Sequence, residues 1–212
     1  MTCTRGGGPP GHAGAGRIIV PFVALVLGVA MVGCGGGDRE LVGYTRDPAP
    51  RVDAIALPDV SRDGQPFEFS AADGGLLVVY FGYTNCPDEC PTTMADLRQA
   101  LTELGDKAEQ VAVAMVTVDP ARDTDVLTSY VQGFIPGAHA IATDDPAALR
   151  SVSEPFGAVY ETATAHHGDV EVGHSSFLFG VDDTGTLVIT WPFGTPSDDL
   201  AADIEQLLAQ GA

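Results

Sequence analysis

The chain has 212 residues, with 10 Lys and Arg against 29 Asp and Glu, and a formal net charge of −19 at pH 7. This acidic balance argues against a nucleic acid partner, because the phosphate backbone is bound through basic side chains. The length supports a single domain with a proper core once the N-terminal segment is set aside.

Residues 1–33 have the pattern of a lipoprotein signal peptide. A sparse basic region, Arg5 and Arg17, precedes an apolar run of 15 residues from Ile18 to Val32. A bilayer span needs about 20 apolar residues, so this run fits a secretory signal better. Residues 31–34 resemble a bacterial lipobox, which predicts lipidation of Cys34 and a domain anchored on the extracytoplasmic face of the cell membrane. An uncleaved signal anchor is the alternative.

The remaining chain divides into a tether and a domain. Cleavage before Cys34 would leave 8 basic and 29 acidic residues, and hence a net charge of −21. Residues 34–51 are rich in Gly, Pro and charge and show no helical or strand period, which predicts a flexible tether. Residues 52–212 form the predicted domain, whose acidic surface fits a solvated extracytoplasmic protein or one that meets a cationic partner.

Within the domain, the hydrophobic pattern predicts an α/β fold. We expect a β-hairpin first, then alternating strands and helices, then a second hairpin and a closing helix. Crossover helices make neighbouring strands parallel, so the sheet should be mixed, with helices on both faces. The expected strands and hairpin arms are 54–57, 67–69, 76–82, 111–118, 140–142, a further strand or arm that begins at 159–161, 177–181 and 186–191. The expected helices are 92–104, 126–134, 146–156 and 197–208, with a polar loop at 165–173.

Two cysteines, Cys86 and Cys90, lie in a polar turn between a buried strand and a helix. At this place the helix N-terminus directs backbone N–H groups and its positive dipole at the sulfurs, which is expected to lower the thiol pKa. Residues four apart on a helical turn face the same side, with Cβ atoms about 5–6 Å apart. Two thiolates there can bind a soft metal ion or close a disulfide. A structural disulfide or a pair of buried thiols is the alternative.

Three stretches of the chain, 80–91, 118–124 and 173–176, together resemble the SCO/SenC family. This resemblance implies a thioredoxin-like fold and a membrane-tethered copper protein that helps to assemble cytochrome c oxidase. It also implies that Cys86, Cys90 and His174 are the copper ligands. His174 stands where thioredoxin-fold proteins usually have a cis-proline loop. Thiolates select Cu(I), and imidazole suits either oxidation state of copper.

The resemblance leads to two functional hypotheses. The first is a copper chaperone that binds one ion and passes it to the binuclear copper site, CuA, of cytochrome c oxidase subunit II or to another extracytoplasmic copper protein. The second is a thiol–disulfide reductase that uses Cys86 and Cys90 on the cysteines of the oxidase copper site. A peroxiredoxin-type thiol peroxidase is weaker, because that family needs a threonine three residues before its reactive cysteine, where this chain has Tyr83.

Other polar residues near these motifs have less specific roles. Glu89 lies between the cysteines, where the family often has an apolar residue, and its carboxylate is expected to raise the thiol pKa. Asp119 is a candidate to orient His174 or to pair with an arginine, and a turn or capping role is the alternative. Met94 fits core packing better than copper ligation. His166 and His167 are expected to be solvated loop residues rather than an auxiliary metal site.

Overall fold

The computed structural model of the chain describes Gly8 and residues 39–164, 170–174 and 176–211. Predictions for the signal peptide, Cys34, His166 and His167 therefore fall outside the described residues. Within the described part, no helix is both long enough and apolar enough to cross a membrane.

The described residues form nine strands and four α-helices. In chain order they are β1 (Leu57–Asp59), β2 (Gln65–Phe67), β3 (Leu76–Gly82), α1 (Glu89–Leu104), β4 (Val111–Thr117), α2 (Pro120–Phe134), β5 (His139–Ile141), α3 (Pro146–Phe156), β6 (Tyr160–Thr164), β7 (Val170–His174), β8 (Leu178–Val181), β9 (Leu187–Trp191) and α4 (Ser197–Gln210).

Seven of these strands form a mixed sheet in the order β2-β1-β5-β4-β3-β8-β9. The central strands β3, β4 and β5 are parallel, as expected for strands joined by crossover helices. Strand β8 pairs antiparallel with β3, and β9 with β8. The β1–β2 hairpin is added through β1, which is antiparallel to β5. The predicted mixed sheet with an added N-terminal hairpin is confirmed.

Strand β3 is buried along its whole length and separates two apolar layers. Its alternate residues Leu76, Val78 and Tyr80 pack with residues of α1, α2 and α4. Leu77, Val79 and Phe81 face the other layer, which includes residues of α3. Successive strand side chains point to opposite faces, so one strand of apolar residues serves both layers. Helices therefore cover both faces of the sheet, as predicted.

Two helices begin earlier than the hydrophobic pattern indicated. Helix α1 starts at Glu89 rather than at residue 92, which places Cys90 in its first turn. Helix α2 starts at Pro120 rather than at residue 126. Proline fits the first turn of a helix, because its missing N–H would have no partner there. Both extensions matter for the site, because the polar residues of these first turns are held in a helix and not in a loop.

The predicted polar loop at 165–173 is wrong for its last residues. Strand β7 pairs antiparallel with β6 in a separate two-stranded sheet, with His174 opposite Tyr160. The alternating valines Val170 and Val172 favour an extended strand, because β-branched residues suit the pleated backbone.

The flexible tether predicted over residues 34–51 also needs correction where the structure describes it. Arg39 forms an ion pair with the buried carboxylate of Asp203 on α4. Tyr44 forms a β-bridge with Thr190 of β9, with backbone hydrogen bonds of 2.9 Å in both directions. The segment from residue 39 is thus bonded to the domain, and its irregular sequence gave no sign of partners more than 140 residues away.

Candidate metal centre

The two cysteines lie where the chain leaves the central strand β3 and enters α1. Cys86 is partly buried and Cys90 is buried, and neither forms a disulfide among the described residues. The backbone N–H of Cys90 donates a hydrogen bond of 3.3 Å to Sγ of Cys86. The Cys86 sulfur therefore lies at the N-terminal end of α1, where it accepts a hydrogen bond from one of the backbone N–H groups that have no partner within the helix. The predicted proximity of the pair to a helix N-terminus is confirmed.

The expectation of a lowered thiol pKa is wrong for Cys90. Burial raises the pKa of the Cys90 thiol to about 12, although hydrogen bonds from the Tyr80 side chain and the Tyr83 backbone act in the opposite direction. Burial, and not Glu89, is the main cause, since removing the thiolate from water costs more than these contacts return. A Cβ added at Gly82 would lie 3.2 Å from the Cys90 sulfur, so this glycine leaves room for it.

Tyrosines surround the sulfurs, and the sequence did not identify them as part of the site. Burial, followed by the charge of Cys86, raises the pKa of Tyr83 to about 12. Burial and the two cysteines raise the pKa of Tyr130 as well. The Tyr130 hydroxyl is buried and has no hydrogen-bond partner among the described residues. These phenols remain protonated and can donate hydrogen bonds to thiolates.

Asp123 fixes the loop that leads to Cys86, and it too was missed from the sequence. The carboxylate is fully buried in the first turn of α2. It accepts hydrogen bonds from the backbone N–H and the hydroxyl of Thr84, at 2.9 and 2.6 Å, and from the Thr117 hydroxyl at 2.6 Å. One side chain thus ties α2 and the end of β4 to the residue two positions before Cys86.

Asp119 pairs with an arginine, which was one of the three roles considered for it. Its carboxylate accepts a hydrogen bond from Arg122 Nε. Its backbone N–H donates to the Thr117 hydroxyl at 3.0 Å, and its side chain makes no capping bond to α2. The arginine partner therefore explains this aspartate better than helix capping does.

His174 is the last residue of β7, and its side chain lies outside what the structure describes. Among the described side chains, no cluster of three or more His, Cys, Asp or Glu residues is placed to hold a metal ion. The contribution of His174 therefore stays a prediction. Two residues later in the chain, the Ser176 hydroxyl donates a hydrogen bond to the Glu89 carboxylate on α1. Met94 is fully buried in the core cluster that also contains Cys90, in keeping with a packing role.

The fold and the cysteine turn together define a thioredoxin-like protein with two thiols at the end of its central strand. Residues 59–209 match the SCO1/SenC family model. Because this match covers most of the chain, the protein belongs to the SCO1/SenC family.

Curated relatives and solved structures agree with this assignment. A Stutzerimonas stutzeri protein whose name carries copper binding is 35% identical over 141 residues, a match that covers 65% of this chain and 69% of that protein. The SCO2-like protein of Rickettsia prowazekii is 30% identical, and the match covers 59% of this chain and 62% of the relative, which is less than two thirds of it.

Solved structures of other proteins also share the fold of this chain. The apo Sco1 protein from Thermus thermophilus superposes with a TM-score of 0.69 and 30% identity, covering 81% of this chain and 99% of that one. The copper-bound ScoI of Bradyrhizobium japonicum gives 0.62 and 25% identity, covering 73% of this chain and 99% of its own. The resemblance to the SCO/SenC family and the thioredoxin-like fold predicted from the sequence are both confirmed.

Proposed function

We propose that this protein binds copper and takes part in the assembly of cytochrome c oxidase. The observation that carries the proposal is the Cys86–Cys90 turn, in which the Cys90 N–H reaches the Cys86 sulfur. Two thiolates in one helical turn form a soft donor pair that selects Cu(I). One relative is named as a copper-binding protein and another has a structure with copper bound, and both support copper as the cargo.

The proposed ligands are Cys86, Cys90 and His174. Two sulfurs are sufficient for Cu(I) in low coordination, and an imidazole adds the donor that Cu(II) needs. Cys90 is buried and Cys86 is partly exposed, so a recipient protein would reach the Cys86 sulfur first. A small ligand set with one accessible sulfur suits a carrier that must release its ion.

We further propose that the recipient is subunit II of cytochrome c oxidase and that the protein acts at the outer face of the cell membrane. The lipobox-like residues before Cys34 support attachment through a lipid on that cysteine. The acidic surface, with a net charge of −21 after cleavage, would favour a recipient that presents basic side chains near its copper site.

The test is copper binding by the full chain in detergent, after reduction and loading with Cu(I) or Cu(II). We expect one copper per chain and a thiolate-to-Cu(II) charge-transfer band that is lost in His174→Ala and in Cys86→Ser. His139→Ala is the matched control: His139 lies on β5 and contacts Asp59, so its removal should leave the band unchanged.

Two results would contradict this function. If His174→Ala kept the complete Cu(II) band, the ligand set would be wrong. If the wild-type chain retained no copper but its reduced Cys86 and Cys90 readily reduced a partner's disulfide, being themselves oxidised to a disulfide, the protein would act as a thiol–disulfide reductase instead.

A further inference from the structure

We propose that the hydrogen bond between Glu89 and Ser176 positions the strand that carries His174 against the two cysteines, and so determines how firmly Cu(II) is held. This inference rests on the copper-binding function proposed above. It assigns a role to the Glu89 carboxylate, which lies between the two cysteines and is not one of the proposed metal ligands.

The Glu89 side chain does not pack in the apolar core, so its role must lie elsewhere. It is exposed, it is the first residue of α1, and it directly precedes Cys90. A carboxylate is favourable in the first turn of a helix because of the positive end of the dipole. That preference is met by any acidic residue nearby, however, and does not require a specific contact.

Ser176 supplies the specific contact. It is 8% exposed and lies between the end of β7 at His174 and the start of β8 at Leu178. Its hydroxyl donates to Oε2 of Glu89. A buried hydroxyl needs a partner, and a hydrogen bond to an ionised carboxylate is stronger than one between neutral groups.

The bond lies where the chain passes between two sheets. Strand β7 pairs with β6 in the separate two-stranded sheet, whereas β8 pairs with β3 and β9 in the main sheet. Leu178 of β8 is fixed opposite Tyr80 of β3. Ser176 is thus the position at which the connection is joined to the cysteine helix, after the chain leaves the hairpin that ends in His174 and before it enters β8.

The oxidation state of copper decides which property this bond should affect. Two thiolates satisfy Cu(I), whereas Cu(II) also needs the imidazole. A change in the position of His174 should therefore weaken the binding of Cu(II) and leave the binding of Cu(I) nearly unchanged. We expect Cys86 and Cys90, which are held by α1 and the loop before it, to keep their positions when the serine contact is removed.

The experiment compares Glu89→Ala, Ser176→Ala and the double variant in the full chain in detergent. We expect each single change to raise the Cu(II) dissociation constant by roughly tenfold, the size expected for loss of one charge-assisted hydrogen bond. The double variant should be no weaker than the singles, since both remove the same bond. Cu(I) affinity should stay within about twofold.

Two further variants separate the bond from the charge. Glu89→Gln keeps an oxygen that can accept from Ser176, so it should retain most of the Cu(II) affinity. Asp88→Ala is the matched control, because Asp88 is an exposed acidic neighbour whose side chain makes no capping bond. It should bind Cu(II) like the wild type.

A measurement on the copper-free chain adds a second readout. Amide hydrogen exchange over residues 170–176 should become faster in Glu89→Ala and in Ser176→Ala, while exchange in β3 stays the same. A general loss of stability would speed exchange in both places and would overturn the positioning role.

Failure of this inference can be told from failure of the proposed function. If the wild type bound no copper, or bound it without need of His174, the function itself would fail. If binding required His174 but both alanine variants held Cu(II) as tightly as the wild type, only the positioning role would fail. Equal weakening in Glu89→Gln and Glu89→Ala, with Ser176→Ala unaffected, would assign the effect to charge.

Discussion

Two buried carboxylates, Asp203 on α4 and Asp123 on α2, each hold an irregular stretch of chain, but they do so with different partners. Asp203 accepts hydrogen bonds from the backbone N–H groups of residues 42 and 43 and from Nε1 of Trp191, and it forms an ion pair with Arg39. These contacts attach residues 39–43 to the rest of the domain.

Asp123 accepts only neutral donors among the hydrogen bonds described for it, two from Thr84 and one from Thr117. Both carboxylates are fully buried, and a buried charge is tolerated only when its hydrogen bonds are satisfied. The difference lies in what each one holds. The Asp203 contacts join parts of the scaffold, whereas the Asp123 contacts hold Thr84, two residues before Cys86. Loss of Asp203 should therefore affect mainly stability, and loss of Asp123 should also affect copper retention.

The largest loss of stability should follow Asp203→Ala. This change leaves the buried indole N–H of Trp191 and two backbone N–H groups without an acceptor, and it removes the partner of Arg39. Because Arg39 is 40% exposed, water can compensate part of the loss, and we expect the free energy of unfolding to fall by about 3 kcal/mol. Denaturant unfolding of the compact unit from residue 38 onwards measures it.

Copper binding is the counterpart measurement for Asp203→Ala. Under conditions where the variant is folded, its Cu(II) spectrum and dissociation rate should equal those of the wild type. A change in the spectrum at full foldedness would show that the segment at residues 39–44 contributes to the site, and the proposed division between the two carboxylates would then be wrong.

Asp123→Ala should lower stability less than Asp203→Ala does, but it should weaken copper retention. Loss of three hydrogen bonds at a buried position should lower the free energy of unfolding by about 2 kcal/mol, less than for Asp203→Ala. Because Thr84 is then no longer held, the loop before Cys86 should loosen and copper should dissociate faster, by about tenfold. Stopped-flow transfer of Cu(I) to a competing chelator measures that rate.

Asp125→Ala is the matched control for this variant, since Asp125 is an exposed aspartate of the same helix. Its copper dissociation should be that of the wild type. If Asp123→Ala released copper no faster than Asp125→Ala while losing stability, Asp123 would be a scaffold residue like Asp203.

The fold was predictable from the sequence because its signals are local. Strand β3 has the bounds expected from an unbroken apolar run, and α3 begins at Pro146 as its Asp-Pro start indicated. The attachment of residues 39–51 was not predictable, because its acceptors, Asp203 and the edge of β9, are distant in sequence. A stretch rich in Gly, Pro and charge has the same composition whether it is free or bonded.

The site was predictable only in its reactive atoms. Cys86 and Cys90 are recognisable from their spacing and from the strand before them, whereas the groups that hold them are ordinary in sequence. Asp123 is one acidic residue among several near the start of α2, and only folding brings it to Thr84. The raised pKa of Cys90 depends on burial, which a polar turn with two prolines does not indicate.

Asp59 on β1 is a third buried carboxylate, and its contribution to stability should depend on pH. Burial alone would raise its pKa, but hydrogen bonds from Ser61 and the contact with His139, at 2.6 Å, hold the pKa of this carboxyl below its usual range. A lowered carboxyl pKa stabilises the folded state above the unfolded pKa of about 3.9. That contribution is lost as the pH falls through the folded pKa.

Asp59→Asn should therefore give the smallest of the three effects, and one that depends on pH. At pH 6 the variant should lose about 1 kcal/mol of stability, because a neutral amide accepts weaker hydrogen bonds from Ser61. Between pH 6 and pH 3, the urea midpoint should fall less in the variant than in the wild type, since other carboxylates titrate equally in both. If the urea midpoints of the variant and the wild type fell in parallel with pH, Asp59 would stabilise the fold only through packing and not through its charge.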